Sequence, residues 1–202
     1  MKKYIWIGVV VVLVLLLCTS GCSTYNNMVT LDQQVEQAWA KVEVQYQRRM
    51  DLIPNMVATV KGYAEHESST YEKVTEARAG LSQAYNDAKA NEQVDPNSQQ
   101  SLDSFNQAQQ SLNRALSIYV NAVREAYPDL KADTQFTNLE TVLEGTENRI
   151  ATERTRYTEI VTNYNVTVRR FPANIFAGIF GFSPKPQFKA DAEAAHAPQV
   201  QF

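Results

Sequence analysis

DTQFTNLETVLEGTENRIATERTRYTEIVTNYNVTVRR, residues 133–170, decides the fold. Phe136, Leu139, Leu143, Ile150, Tyr157, Ile160, Tyr164 and Val168 recur at helical steps, in a heptad-like pattern of almost five repeats. Such steps place side chains on one face of an α-helix, and a repeat near seven belongs to a helix packed lengthwise on another. The stripe ends at Phe171-Pro172, where the residue before proline is pushed out of the helical region. A helix over 133–170 would be ~57 Å long at 1.5 Å per residue.

Upstream, the same periodicity returns three times. Leu102, Phe105, Leu112, Leu116, Tyr119 and Val123 form a stripe that stops at Tyr127-Pro128-Asp129. Before it, Asp95-Pro96-Asn97 reads as a turn, with proline fixing φ. Tyr71, Val74, Leu81, Ala84 and Ala88 mark another helix that closes near Asn91. The first helix spans about 26–64 on Leu31, Val35, Ala38, Val42, Leu52, Met56, Val60 and Tyr63, with Gln45 and Arg49 in register. Pro54 lies inside it; the period continues past, so a kink is expected rather than an end. Short connections between four amphipathic helices predict an all-α fold, a long antiparallel up-and-down four-helix bundle over 23–170 that follows an N-terminal anchor, 1–22.

Antiparallel packing of the first and fourth helices implies a register. If Asn26 and Arg170 share an end, facing residues have numbers that sum to about 196. Arg49 then faces Glu147, with Glu144 one turn away. The expectation is a structural ion pair of Arg48 or Arg49 with Glu144 or Glu147, which holds the register rather than a ligand.

The N-terminus carries a targeting signal. Lys2 and Lys3 precede an uncharged, Val- and Leu-rich run over 4–18, followed by Thr19, Ser20, Gly21 and Cys22. Extended to Cys22, the run has 19 uncharged residues, just enough to span a bilayer as an uncleaved helix. The second reading is a lipoprotein signal cleaved before a lipidated Cys22, though Thr19 stands where such signals usually have Leu. Under both readings the lysines stay inside and the remainder is exported, on the outer side of a bacterial cytoplasmic membrane. Past Cys22 there is no cysteine, so stability rests on an apolar core without disulfides.

Other chemistry is thinly represented. The net charge of −3, from 19 Lys and Arg against 22 Asp and Glu, offers no concentrated basic face for nucleic acid. Of the two histidines, His66 sits in Glu65-His66-Glu67, but a zinc-protease helix needs a second His at 70, where Thr70 stands. His66 therefore reads as a solvated helix-end residue. No nucleophile elbow, phosphate-binding loop or dinucleotide glycine fingerprint appears. The sequence predicts no enzyme, no catalytic, cofactor-binding or metal residues and no cofactor. Asn165-Val166-Thr167 matches a glycosylation sequon by chance inside a helix.

Residues 171–183 are rich in large apolar side chains, with Arg169 and Arg170 before them and Lys185 after. Two readings stand: the aromatics cap the bundle core, or Phe171, Ile175, Phe176, Ile179, Phe180 and Phe182 face lipid or a partner. An even number of antiparallel helices brings this segment back to the anchored end. Residues 184–202, rich in Pro and Ala, are expected to form a loose tail.

In order along the chain come Tyr25-Asn26, Ala38-Trp39, Arg48-Arg49-Met50-Asp51-Leu52-Ile53-Pro54-Asn55, Val60-Lys61-Gly62-Tyr63 and Ala77-Arg78-Ala79. Then follow Tyr127-Pro128-Asp129-Leu130-Lys131-Ala132, Leu143-Glu144-Gly145-Thr146-Glu147-Asn148-Arg149-Ile150, Tyr164-Asn165, Phe171-Pro172 and Gly181-Phe182. Through these the sequence resembles the LemA family over nearly its whole length. Tyr157-Thr158 departs from a second Tyr-Asn that the family often has there. The resemblance implies a membrane segment, a long-helix bundle and no catalytic residues to transfer. The expected function is a membrane-anchored, non-catalytic interaction or scaffold module with lipid and an envelope protein as partners. The alternative is direct lipid binding or envelope remodelling.

Overall fold

The computed structural model describes residues 2–64 and 72–189; for residues 2–5, 9–18, 20, 131 and 132 it describes the backbone alone. Among the described residues the chain is all-helical. The elements are α1 (Lys2–Ala64), α2 (Glu72–Ala90), α3 (Gln99–Ala126), a 3-10 turn (Pro128–Ala132), α4 (Thr134–Arg169) and α5 (Ala173–Phe180).

Local chemistry sets these ends. Asn97 N–H donates to Asp95 Oδ1 in an Asx turn, and Ser98 caps α3 by accepting from Ser101 N–H. Asp133 accepts from Phe136 N–H and opens α4. Gly181, at φ 79°, ends α5, and Phe182 N–H donates back to Ala177 C=O at 2.9 Å. That wrap needs a left-handed residue, which glycine supplies without steric cost.

Three features differ from expectation. First, α1 does not begin near Asn26 but runs unbroken from Lys2, through Pro54 as well. Second, Ala173–Phe180, for which no helix was expected, form α5. Third, residues 184–189 are tied down rather than loose: Asn165 exchanges two hydrogen bonds with the Lys185 backbone, and Lys189 pairs with Asp103. Within the expected anchor run, 4–18, only the side chains of Trp6 and Ile7 are described, and both are exposed. Among the described residues no helix is long and apolar enough to cross a membrane. His66 and His196 also lie outside them.

The chain divides into two compact units, with α1 and α4 contributing to both. In the unit built on Lys41–Thr155, four helices and the 3-10 turn share one apolar core. Ile53 and Met56 of α1, Leu81 of α2, Leu112 and Tyr119 of α3, Leu130 and Phe136 all lie in it. Arg49 meets Glu147 and Gln109, and Tyr63 meets Tyr127 edge to face. Rising numbers on α1 thus pair with rising numbers on α3. Burial of each large side chain contributes roughly 1.5–3 kcal/mol, the main stabilising term in a domain without disulfides.

The other unit holds the described residues up to Ala40 with Arg156–Lys185. Met28, Val35, Trp39, Tyr157, Val161 and Tyr164 are buried in it, and Trp39 and Tyr157 meet edge to face at 5.5 Å. Val161 takes the buried position where the stripe on α4 pointed to Ile160, which is half-buried. Both are within one turn of Tyr157, and Val161 continues the four-three-four spacing to Tyr164 and Val168.

Candidate functional site

Two places in the structure concentrate unusual chemistry. The first is a charged group inside the core of the Lys41–Thr155 unit. Arg49 is 2% exposed. Its Nη1 donates to Glu147 Oε1 at 2.7 Å, and its Nη2 donates to the Gln109 carbonyl at 3.2 Å and to Gln109 Oε1. The guanidinium lies 5.2 Å from the Tyr46 ring centroid. Burial pushes the Tyr46 hydroxyl above its ordinary pKa, with the Arg154 and Arg49 charges opposing. Arg48 and Glu144 are exposed and take no part. Sequence reasoning missed Gln109, although it sits within the stripe of α3 between Phe105 and Leu112, a polar residue at a buried step.

Four buried polar atoms here have no hydrogen-bond partner among the described residues: Arg49 Nε, Gln45 Oε1, Asn106 Oδ1 and Gln109 Nε2. Beside the group lies a cavity of about 380 Å³, walled by Tyr46, Met50, Phe105 and Gln109, with Glu43 and Glu92. No Ser, Cys, His or Lys lines it. Among the described residues no group of three His, Cys, Asp or Glu could hold a metal. The arrangement suits register rather than reaction: a buried arginine with an acceptor on each of two other helices fits one alignment of those helices.

The second place is α5 and the residues around it. Phe176 packs on Gly21: a Cβ at Gly21 would stand 2.9 Å from Phe176 Cε1. Phe180 and Phe182 meet Tyr25 edge to face at 4.9 and 5.8 Å. Ala177 is buried, while Phe176 and Phe182 are half-buried. The opposite side is open: Ile175 is 52% exposed and Ile179 69%, and Phe171, just ahead of the helix, 77%. Ile175 and Ile179, four residues apart, lie on one face of α5, and Phe171 stands just ahead of the helix. Arg169 and Arg170 are exposed beside them.

Polar contacts hold α5 in place. After Gly181 the chain returns along α4, where Tyr164 OH donates to Ser183 C=O and Asn165 brackets Lys185. Lys185 Nζ pairs with Asp32 at 2.7 Å, its side chain only 8% exposed. The sequon asparagine is therefore a backbone clamp, a role that local sequence does not signal. Cys22, one residue past Gly21, is exposed and free.

Comparison with known proteins places this architecture among relatives. The sequence model of the LemA family matches residues 38–202. Magnetosome proteins MamQ 2 and MamQ 1 of Paramagnetospirillum magneticum are each 25% identical over 176 residues, which covers 82% of this chain and 64% of theirs. Protein LemA of Metamycoplasma hominis is 26% identical over 152 residues, 75% of this chain and 63% of that one. The chain thus spans under two thirds of the length of these relatives.

Proposed function

The chain belongs to the LemA family, and we propose that it is a membrane-anchored, non-catalytic helical-bundle protein, an interaction or scaffold module on the outer side of a bacterial cytoplasmic membrane. The observation that carries this reading is a helix, α1, that starts at Lys2, runs through the 19-residue uncharged stretch 4–22 and continues into a packed core without catalytic groups at its charged centre. The LemA and MamQ relatives favour a place at a membrane. Lys2 and Lys3 favour the outward orientation.

The structure also favours the uncleaved form of the anchor. Gly21 is buried and provides the seat of Phe176. Cleavage before Cys22 would remove that seat. Direct lipid binding is the second reading, favoured by the exposed apolar side of α5.

Alkaline carbonate extraction and mass spectrometry of the full chain test the anchor. Retention in the pellet with an intact N-terminal peptide is expected. Release into the supernatant overturns the anchored reading, and a mature chain that starts at lipidated Cys22 overturns the uncleaved form. For the scaffold role, a photo-crosslinker at exposed Val44 or Ile118 in intact cells is expected to yield a reproducible adduct with another envelope protein. Adducts only with the chain itself, or none, argue against it.

A further inference from the structure

We propose that α5 is an interfacial helix whose Ile175 and Ile179 side, together with Phe171 just ahead of it, inserts into the outer leaflet of an anionic bilayer, giving the protein a second attachment beside its anchor. The inference rests on the anchored reading and adds to it the identity of what covers α5.

Position comes first. Phe176 touches Gly21, three residues past the end of the uncharged 4–18 run, and α1 is helical throughout. At 1.5 Å per residue, Gly21 lies ~1.5 Å inside the outer end of the 19-residue uncharged stretch 4–22, which just spans a bilayer, and Tyr25 ~4.5 Å beyond that end. The bilayer's polar region extends roughly 5–8 Å beyond the hydrocarbon on each side, from about 30 Å of core in about 40–45 Å overall. A helix seated on Gly21 and Tyr25 is therefore held at the boundary between hydrocarbon and headgroups once 4–22 spans the core.

The chemistry agrees with that depth. The seated side of α5 is already used, with Ala177 buried and Phe176 on Gly21. The other side presents Ile175 and Ile179, with Phe171 just ahead of the helix, all more than half exposed. Between Glu159 and Asp191 the sequence holds no carboxylate, but it holds Arg169, Arg170, Lys185 and Lys189. Lys185 and Lys189 are engaged with Asp32 and Asp103. Arg169 and Arg170 are exposed and have no ion-pair partner among the described residues. Apolar side chains next to unpaired arginines match an acyl boundary beneath anionic headgroups. A protein partner would need a complementary acidic and apolar surface at the same height, and the bilayer is already there.

The test uses the full chain, with Cys18→Ser and Cys22→Ser, reconstituted in phosphatidylglycerol-containing vesicles and spin-labelled at I175C or I179C. Power saturation compares collisions with oxygen, which concentrates in lipid, and with a water-soluble nickel chelate. High oxygen and low nickel accessibility at both positions is expected. R169E/R170E should produce a several-fold rise in nickel accessibility, and so should neutral vesicles. High nickel accessibility in the parent, or low accessibility to both reagents as in a protein contact, overturns the proposal while the anchor stands. Carbonate extraction of the same vesicles separates the cases: a chain stripped from them overturns the anchored reading and this inference together.

Discussion

Arg49 of α1 and Glu147 of α4 meet at 2.7 Å, with the arginine 2% exposed and the carboxylate one third exposed. Removal of either partner leaves an unequal residue behind. Arg49→Ala leaves Gln109 without its donor and opens a void, and should cost ~3 kcal/mol or more. Glu147→Ala leaves the buried guanidinium held by Gln109 alone, and should cost about 1–3 kcal/mol because the lost partner is partly solvated. Arg49→Met with Glu147→Met removes both charges and should recover most of the loss. Urea unfolding of these variants, with the Arg49→Met and Glu147→Met single variants that complete a double-mutant cycle with the double, checks this. A coupling energy below ~0.5 kcal/mol means that the pair does not hold the register.

Gly21→Val should lift Phe176 from its seat, since a Cβ already stands 2.9 Å from the ring and valine adds two methyls. Phe176 is half-buried, so roughly half of the usual 1.5–3 kcal/mol for a phenylalanine is at stake. Backbone amides of α5 should then exchange hydrogen about tenfold faster, the equivalent of ~1.4 kcal/mol. Gly178→Val, where added atoms meet open space, is the control. Equal exchange in both variants would mean that α5 is not held through Gly21.

Burial pushes the Tyr157 hydroxyl up to about 12, while an unfolded tyrosine titrates near ~10. The unfolded chain therefore loses this proton first as pH rises. Stability from the neutral phenol is fully present below ~10 and falls as pH climbs from ~10 towards 12. Tyr119 and Tyr164 shift in the same direction for the same main reason. Absorbance at 295 nm, wild type minus Tyr157→Phe, should show a titration well above the ordinary range. The urea midpoint of Tyr157→Phe should fall less steeply between pH 10 and 11 than that of wild type. Identical slopes would place Tyr157 in water.

Pro54 is exposed inside α1, where it lacks the N–H that would reach the residue four before it. Pro54→Ala restores a donor and relieves the ring's crowding of the preceding turn. It should raise stability by about 1–3 kcal/mol, visible as a Tm increase of several degrees. An unchanged or lower Tm would show that the helix depends on the local bend that proline imposes.

The sequence by itself determined the helices and most of their ends. Those are local matters: backbone bonds four residues apart, a stripe at three and four, the Asp95-Pro96-Asn97 turn, and prolines after Tyr127 and Phe171. Heptad spacing also marked the apolar side of each helix, down to Phe136 and Leu143 in the shared core. It could not separate Ile160 from Val161, which differ by one position on the same side. Tertiary structure alone decided that α1 passes without a break from Lys2, that Gln109 supplies the second acceptor for Arg49, and that Asn165 clamps Lys185. It also decided which side of α5 is covered. Residues 171–183 are apolar almost throughout, so periodicity carries no contrast there, and both sides read alike. The choice was made by Gly21, distant in sequence, whose missing side chain leaves room for one ring and so turns Ile175 and Ile179 outward.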